Sequence, residues 1–120
     1  MAAKDLLIKD LSFYDSDVQK IILSIQKHID DSSFCVGSLS LEVGLSRSLM
    51  FRKTKASFGM PPVLLIRAIR LEYGYQLLLK GNLSVAEVAY DCGFTSSQYF
   101  ATCFKRKYGF LPSCLIKYKR

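Results

Sequence analysis

The chain has no tryptophan, one histidine, three prolines and four cysteines in 120 residues. Each shortage excludes something. A single histidine, His28, leaves no Ser/His/Asp set, and no base stands beside any cysteine, so no catalytic residue is expected. Cys35, Cys92, Cys103 and Cys114 include no C-x-x-C pair. The close ligand pairs of tetrahedral zinc are therefore missing, and neither a metal nor a cofactor is expected. Gly93, Gly109 and Pro112 break the chain between the last three cysteines, so these do not share one helical face. Cys103 and Cys114 read as small core residues. No window approaches 18 consecutive apolar residues, so no membrane contact by this segment is expected. The start, Met1-Ala-Ala-Lys-Asp, lacks the basic and apolar regions of a signal peptide. A cytoplasmic chain is therefore expected, and in it no disulfide framework.

Acidic residues are also scarce, but only in one part. Residues 1–43 carry four basic and seven acidic side chains, net −3. Residues 44–120 carry 13 basic and three acidic ones (Glu72, Glu87, Asp91), net +10. Cations confined to one part of a small domain predict an anionic partner, nucleic acid before an anionic membrane. Half of the residues are apolar and 22% charged, which describes a folded chain with a real core.

Beyond the first residues the pattern along the chain is helical. Residues 1–15 have no clear period and read as a tail or linker. A first helix is expected from Ser16, with Gln19 as its capping-box partner and Val18, Ile21, Ile22, Ile25 and Ile29 on one face, ending near 30–33. His28 falls late in that helix, where a cation is favourable. A short helix over 36–43, a Gly44-Leu45-Ser46 turn and a second helix over about 46–57 follow, the order of a helix-turn-helix. This unit recurs. A shift of 49 lays Val36, Leu39, Ser40, Val43 and Gly44 over Val85, Val88, Ala89, Cys92 and Gly93. Past the turn the shift is 50, laying Met50, Lys55, Phe58, Gly59 and Pro62 over Phe100, Lys105, Tyr108, Gly109 and Pro112. Two copies in register over about 27 residues constitute a repeat. Gly44 and Gly93 fall where each turn needs a positive φ.

Between the copies, Pro61 to Lys80 is apolar nearly all round and predicts a helix buried on several sides. The expected fold is all-α, about seven helices, with two helix-turn-helix subdomains joined by a long central linker helix. The subdomains are residues 16–60 and 82–120, and the linker is 61–81. The second copy is better built. Ser84 and Glu87 form an S-x-x-E capping box, and Thr95 with Gln98 resembles another. In the first copy Cys35 replaces the cap and Gly37 interrupts the helix, so this lobe is expected to be the less stable one.

The stretches Gly44-Leu-Ser-Arg-Ser-Leu-Met-Phe-Arg-Lys, Ile69-Arg-Leu, Leu83-Ser-Val-Ala-Glu-Val-Ala-Tyr-Asp-Cys-Gly-Phe and Tyr99-Phe-x-x-x-Phe-Lys-x-x-x-Gly109-x-x-Pro112-Ser carry a resemblance. The chain resembles the C-terminal DNA-binding domain of the AraC/XylS family of transcription regulators over about residues 16–119. Around Ser46–Ser48 and Gly81–Ser84 it is similar to output domains of hybrid two-component sensors from gut Bacteroidetes. It departs from the family pattern at Cys35, Ser40, Thr54, Gly74 and Leu115, departures expected to weaken the first lobe.

The resemblance implies sequence-specific binding of double-stranded DNA for transcription regulation, with two recognition helices in successive major grooves. The expected base contacts are Arg47, Ser48, Leu49 and Arg52 in the first helix and Ser96, Ser97, Gln98 and Thr102 in the second. Arg52 is the expected principal contact, since arginine chelates guanine O6 and N7. Gln98 either reads adenine or caps its own helix. Phe51 reads as core, with a thymine methyl as its alternative. Expected phosphate contacts are Lys53, Lys55, Ser84, Lys105, Arg106 and Lys107. Arg67 and Arg70 either face DNA or pair with Glu72 and Glu87. RNA polymerase, and the sensor and receiver domains of a longer chain, are the further partners implied, although the length also fits a free-standing activator. The alternatives are a protein-interaction module, or a non-specific DNA binder, with decayed base readout.

Overall fold

The computed structural model describes residues 11–119. Most of the expected tail, residues 1–10, lies outside the described residues. A 3-10 turn, Leu11–Phe13, leads into α1 (Ser16–Lys27), α2 (Val36–Val43), α3 (Arg47–Phe58), α4 (Pro62–Lys80), α5 (Val85–Asp91), α6 (Ser97–Tyr108) and α7 (Pro112–Lys119). All regular structure among the described residues is helical.

Two hydrophobic cores share the central helix. Ile21, Ile25 and Ile29 of α1 and its exit meet Phe34, Leu39, Met50 and, from the first half of α4, Leu65, Ile66 and Ile69. The second half of α4 supplies Leu71, Leu77 and Leu78 to the other core, with Val88, Cys92, Phe100, Phe104 and Leu115. Tyr73, at the crossover, packs against both. This explains why α4 is apolar nearly all round: successive turns bury different faces. With 19 residues it is a rod of about 28 Å.

Helix ends follow local chemistry, with three corrections to the sequence reading. Asp15, not Ser16, caps α1, its carboxylate accepting from the Val18 amide at 2.9 Å. Asp caps at least as well as Ser and its charge faces the positive end of the helix dipole. Gln19 instead donates to the Tyr14 carbonyl at 2.8 Å. Next, α1 stops at Lys27, because the chain turns through Ile29, which is pinned in the core. Finally, Ser96 rather than Thr95 caps α6, accepting from the Tyr99 amide at 3.0 Å. Ser46 caps α3 in the same way. The extra residue in the second turn therefore lies ahead of the cap, and the shift of 50 holds from cap to cap.

The glycine turns are as expected, with φ of +72° at Gly44 and +89° at Gly93. Cys35 makes no side-chain cap to α2, whereas Ser84 and Glu87 form the full capping box of α5. Two of the five departures do not belong to the first lobe. Leu115 is in the second core, and Gly74 lies under the Phe100 ring and Cys92, where a Cβ would come within 2.8 Å of the ring. Of the cysteines, Cys92 and Cys103 are buried but Cys114 is exposed, because α7 turns the adjacent Leu115 inward.

Candidate nucleic-acid interface

Burial divides α3 into two faces. Met50 and Thr54 are fully buried, while Ser48, Phe51, Arg52 and Lys55 are exposed. Their spacing of i, i+3, i+4 and i+7 makes them one stripe along the helix. The shift of 50 lays this stripe on Gln98, Ala101, Thr102 and Lys105 of α6. Those four residues, with Arg106 and Leu111, line one open groove. The repeat thus carries over from sequence to surface: each second helix of a helix-turn-helix presents a stripe ending in a lysine.

Gln98 is exposed and, with Ser96 as the cap, takes no part in capping. Thr102 is exposed, its hydroxyl donating back to the Gln98 carbonyl at 3.0 Å. Ser97 and Leu49 are half-buried at the margins of their stripes. The Ser96 hydroxyl is engaged as a cap. The guanidinium of Arg47 lies over the start of α2, where a Cβ at Gly37 would stand 2.8 Å from it. Gly37, costly within a helix, leaves room for that side chain. Phe51, read from sequence as core, is 48% exposed. Burial of α3 is complete at Met50 and Thr54, and Phe51 lies about 100° round the helix from Met50 and about 60° from Thr54.

The cations fall into two groups. Lys55, Lys105 and Arg106 are exposed along or beside the stripes. Lys53 is instead tied to the start of α1, 2.8 Å from Asp15 and 3.2 Å from Asp17. The hydrogen bond to Asp15, then that to Asp17, raises the pKa of its ammonium. The bond from Lys53 holds the Asp15 carboxyl below its usual range. Lys107 pairs with Glu72 at 3.7 Å and points at the Ala68 carbonyl at 3.4 Å. The Ser84 hydroxyl serves the capping box.

Among the described residues neither linker arginine forms an ion pair with Glu72 or Glu87. Arg67 donates to the Tyr99 hydroxyl at 3.4 Å. Arg70 donates to the carbonyls of Asp31 and Phe34, at 2.9 and 3.0 Å, in the α1–α2 connection. The same guanidinium reaches the second turn, its Nε 2.6 Å from where a Cβ of Gly93 would be. One side chain thus touches both helix-turn-helix units. Sequence reasoning missed this role because carbonyl acceptors about 37 residues away leave no local signal.

Two stripes of matched register on a two-core frame define a class of protein: a bipartite helix-turn-helix module. The comparisons agree. The helix-turn-helix domain family matches residues 39–118. The chain belongs to this family, in its AraC type. It is 31% identical over 114 residues to histidine kinase P4 of Formosa agariphila, covering 92% of this chain but 8% of that protein. The C-terminal domain of AraT, a response regulator from Geobacillus stearothermophilus, superposes with a TM-score of 0.78 at 28% identity, covering 86% of this chain and 85% of that one. The DNA-binding domain of AdpA, solved in complex with a target DNA, superposes with a TM-score of 0.77 at 25% identity, covering 88% and 94%. The chain spans well under half the length of the first curated relatives it matches. A DNA-binding domain of this type is therefore its class. Among the described residues no helix is long and apolar enough to cross a membrane.

Proposed function

We propose that this chain binds double-stranded DNA sequence-specifically, laying α3 and α6 in two successive major grooves on one side of the duplex. The observation that carries this is the pair of matched stripes, Ser48-Phe51-Arg52-Lys55 and Gln98-Ala101-Thr102-Lys105. Base edges are read by Arg52 with Arg47 and Ser48 in one groove, and by Gln98 and Thr102 with Ser97 in the other. Leu49 stands at the margin of the first set, and Ser96 caps the helix that carries the second. Arg52 fits guanine and Gln98 fits adenine, each a two-point contact. Lys55, Lys105 and Arg106 hold phosphates, which position the protein without reading sequence. The rod of about 28 Å, with the offset of each lobe, matches the roughly 34 Å between successive major-groove faces.

In this reading the domain is a non-catalytic, cytoplasmic output module, and no cofactor enters its work. It acts on transcription with RNA polymerase as its partner, and sensor and receiver domains of a longer chain control it. The likeness to a small part of a histidine kinase supports the latter. The test is in vitro selection from random duplex DNA at about 100 mM salt. Two short boxes about one helical turn apart are expected. Salt-sensitive binding without enrichment would overturn sequence-specific reading and leave a non-specific binder.

A further inference from the structure

Phe51 is an anomaly on its stripe. The residues beside it, Ser48, Arg52 and Lys55, are polar or charged, yet a phenylalanine is held about half exposed among them. A single exposed apolar residue needs no explanation on an ordinary surface. This one occupies a defined place in a reading face. The corresponding residue in α6 is Ala101, which lines the groove with Gln98, Thr102 and Lys105. Both stripes therefore carry their one apolar side chain at the same position, flanked by the same pattern of polar groups.

The chemistry of the major groove has one natural counterpart for such a group. Every base edge there offers hydrogen-bond donors or acceptors, except for the C5-methyl group of thymine. A benzyl side chain can make no hydrogen bond to the other edges, and placed over them it would strip water from a donor or acceptor without replacing it. Over a thymine methyl it removes apolar surface from water on both sides.

We infer that Phe51 is a specificity-determining residue that reads the C5-methyl group of a thymine in the first box, next to the base pair read by Arg52. This rests on the DNA-binding reading proposed above. Arg52 follows Phe51 on the helix and lies about 100° round it, so the two side chains reach neighbouring base pairs. Selectivity at the Phe51 position is selectivity for a methyl group rather than for a base-pairing edge. Cytosine methylated at C5 presents the same group in the same place, and the inference extends to it.

The experiment uses the selected operator and replaces each thymine of the first box in turn by deoxyuridine, which deletes the methyl group alone. One position is expected to cost the wild-type protein about fourfold in Kd, the worth of burying one methyl. Phe51→Ala is expected to bind the unmodified operator more weakly and to lose that fourfold difference. It should retain the discrimination against exchange of the guanine read by Arg52. Phe51 is half exposed and stands outside both cores, so the variant folds, and its thermal unfolding is the control. Deoxyuridine replacement at the sensitive position, followed by 5-methylcytosine opposite guanine there, should lose and then recover part of the affinity. The same fourfold cost in wild type and Phe51→Ala would assign the methyl to another residue. No sensitive thymine in a well-defined first box would overturn the inference while leaving sequence-specific binding intact. Failure of the selection to yield boxes at all would overturn both.

Discussion

Lys53 of α3 and Asp15, the N-cap of α1, stand 2.8 Å apart and are 38 residues apart in sequence. Asp17 completes the pair at 3.2 Å, so a cation on the recognition helix is balanced inside the domain. By contrast, Lys105 is exposed in the α6 stripe. Their contributions to DNA binding should differ accordingly. Lys105→Ala is expected to weaken all duplexes alike and lower the slope of log K against log salt by about one unit. Lys53→Ala should leave the slope unchanged. Neutralising both acids with Asp15→Asn and Asp17→Asn, which keeps a competent cap, should free Lys53 and raise the slope by about one unit. An equal loss of slope from Lys53→Ala and Lys105→Ala would contradict this.

Gly44 and Gly93 occupy the same position of the repeat and both have positive φ, but only one is enclosed. A Cβ at Gly44 meets nothing within 4 Å, whereas at Gly93 it would lie 2.5 Å from the Ile29 carbonyl oxygen. Gly44→Ala should cost about 1–2 kcal/mol, the strain of a left-handed L-residue. Gly93→Ala adds a backbone clash between the two lobes and should cost clearly more in urea unfolding. Equal costs would mean that the lobes do not press on each other at this turn.

The first lobe should open more readily than the second. Its α2 has no side-chain cap at Cys35, and its buried Thr54 stands where the second lobe has Phe104. Phe104 is in ring contact with Phe100, Tyr75, Tyr108 and Phe110. Hydrogen exchange is expected to be faster in residues 36–58 than in 84–107. Cys35→Ser should slow exchange in the first lobe by the equivalent of about 1 kcal/mol. Slower exchange in 36–58 of the wild type would refute the ranking.

Glu42 ties α2 to α1. It accepts from the Ser24 hydroxyl, hydrogen-bonds His28 at 2.8 Å and pairs with Lys27 at 3.7 Å. The bond from Ser24, then that from His28, holds its carboxyl below the ordinary value of 4.5. A depressed carboxyl contributes stability that is fully present above the unfolded value and is lost as pH falls through the lower folded one. Wild type should therefore lose stability more steeply below about pH 4.5 than Glu42→Gln does. Parallel curves would remove this cluster from the acid response.

How much of this was legible in the sequence depends on the range of the interaction. The turn glycines, Pro62 at the head of α4 and the Ser84–Glu87 box act within four residues, so the helix order could be read from the chain. The repeat extended that to the stripes, since Ser46 and Ser96 set the same phase. The sequence pattern places the α1 and α6 caps one residue off, at Ser16 and Thr95, because a neighbouring Asp15 or Ser96 competes for the same amides. Arg70, Lys53 and Lys107 find acceptors about 35–40 residues away in the chain, and no local pattern announces such pairings. The hydrophobicity of Phe51 alone points to the core, whereas its phase on the helix does not. Counting round from Met50 and Thr54 places it outside.

In the proposed function one chain reads two successive major grooves from the same side. This is tested most directly by inserting base pairs between the two selected boxes and measuring Kd. An insertion of five base pairs turns the second box to the far side, and one of ten restores the side but adds about 34 Å. With Arg70 fixing the lobes about a single α4, both insertions should reduce affinity to that of one box alone. Affinity unchanged by either insertion would contradict the account, since the lobes would then move independently or only one would read DNA.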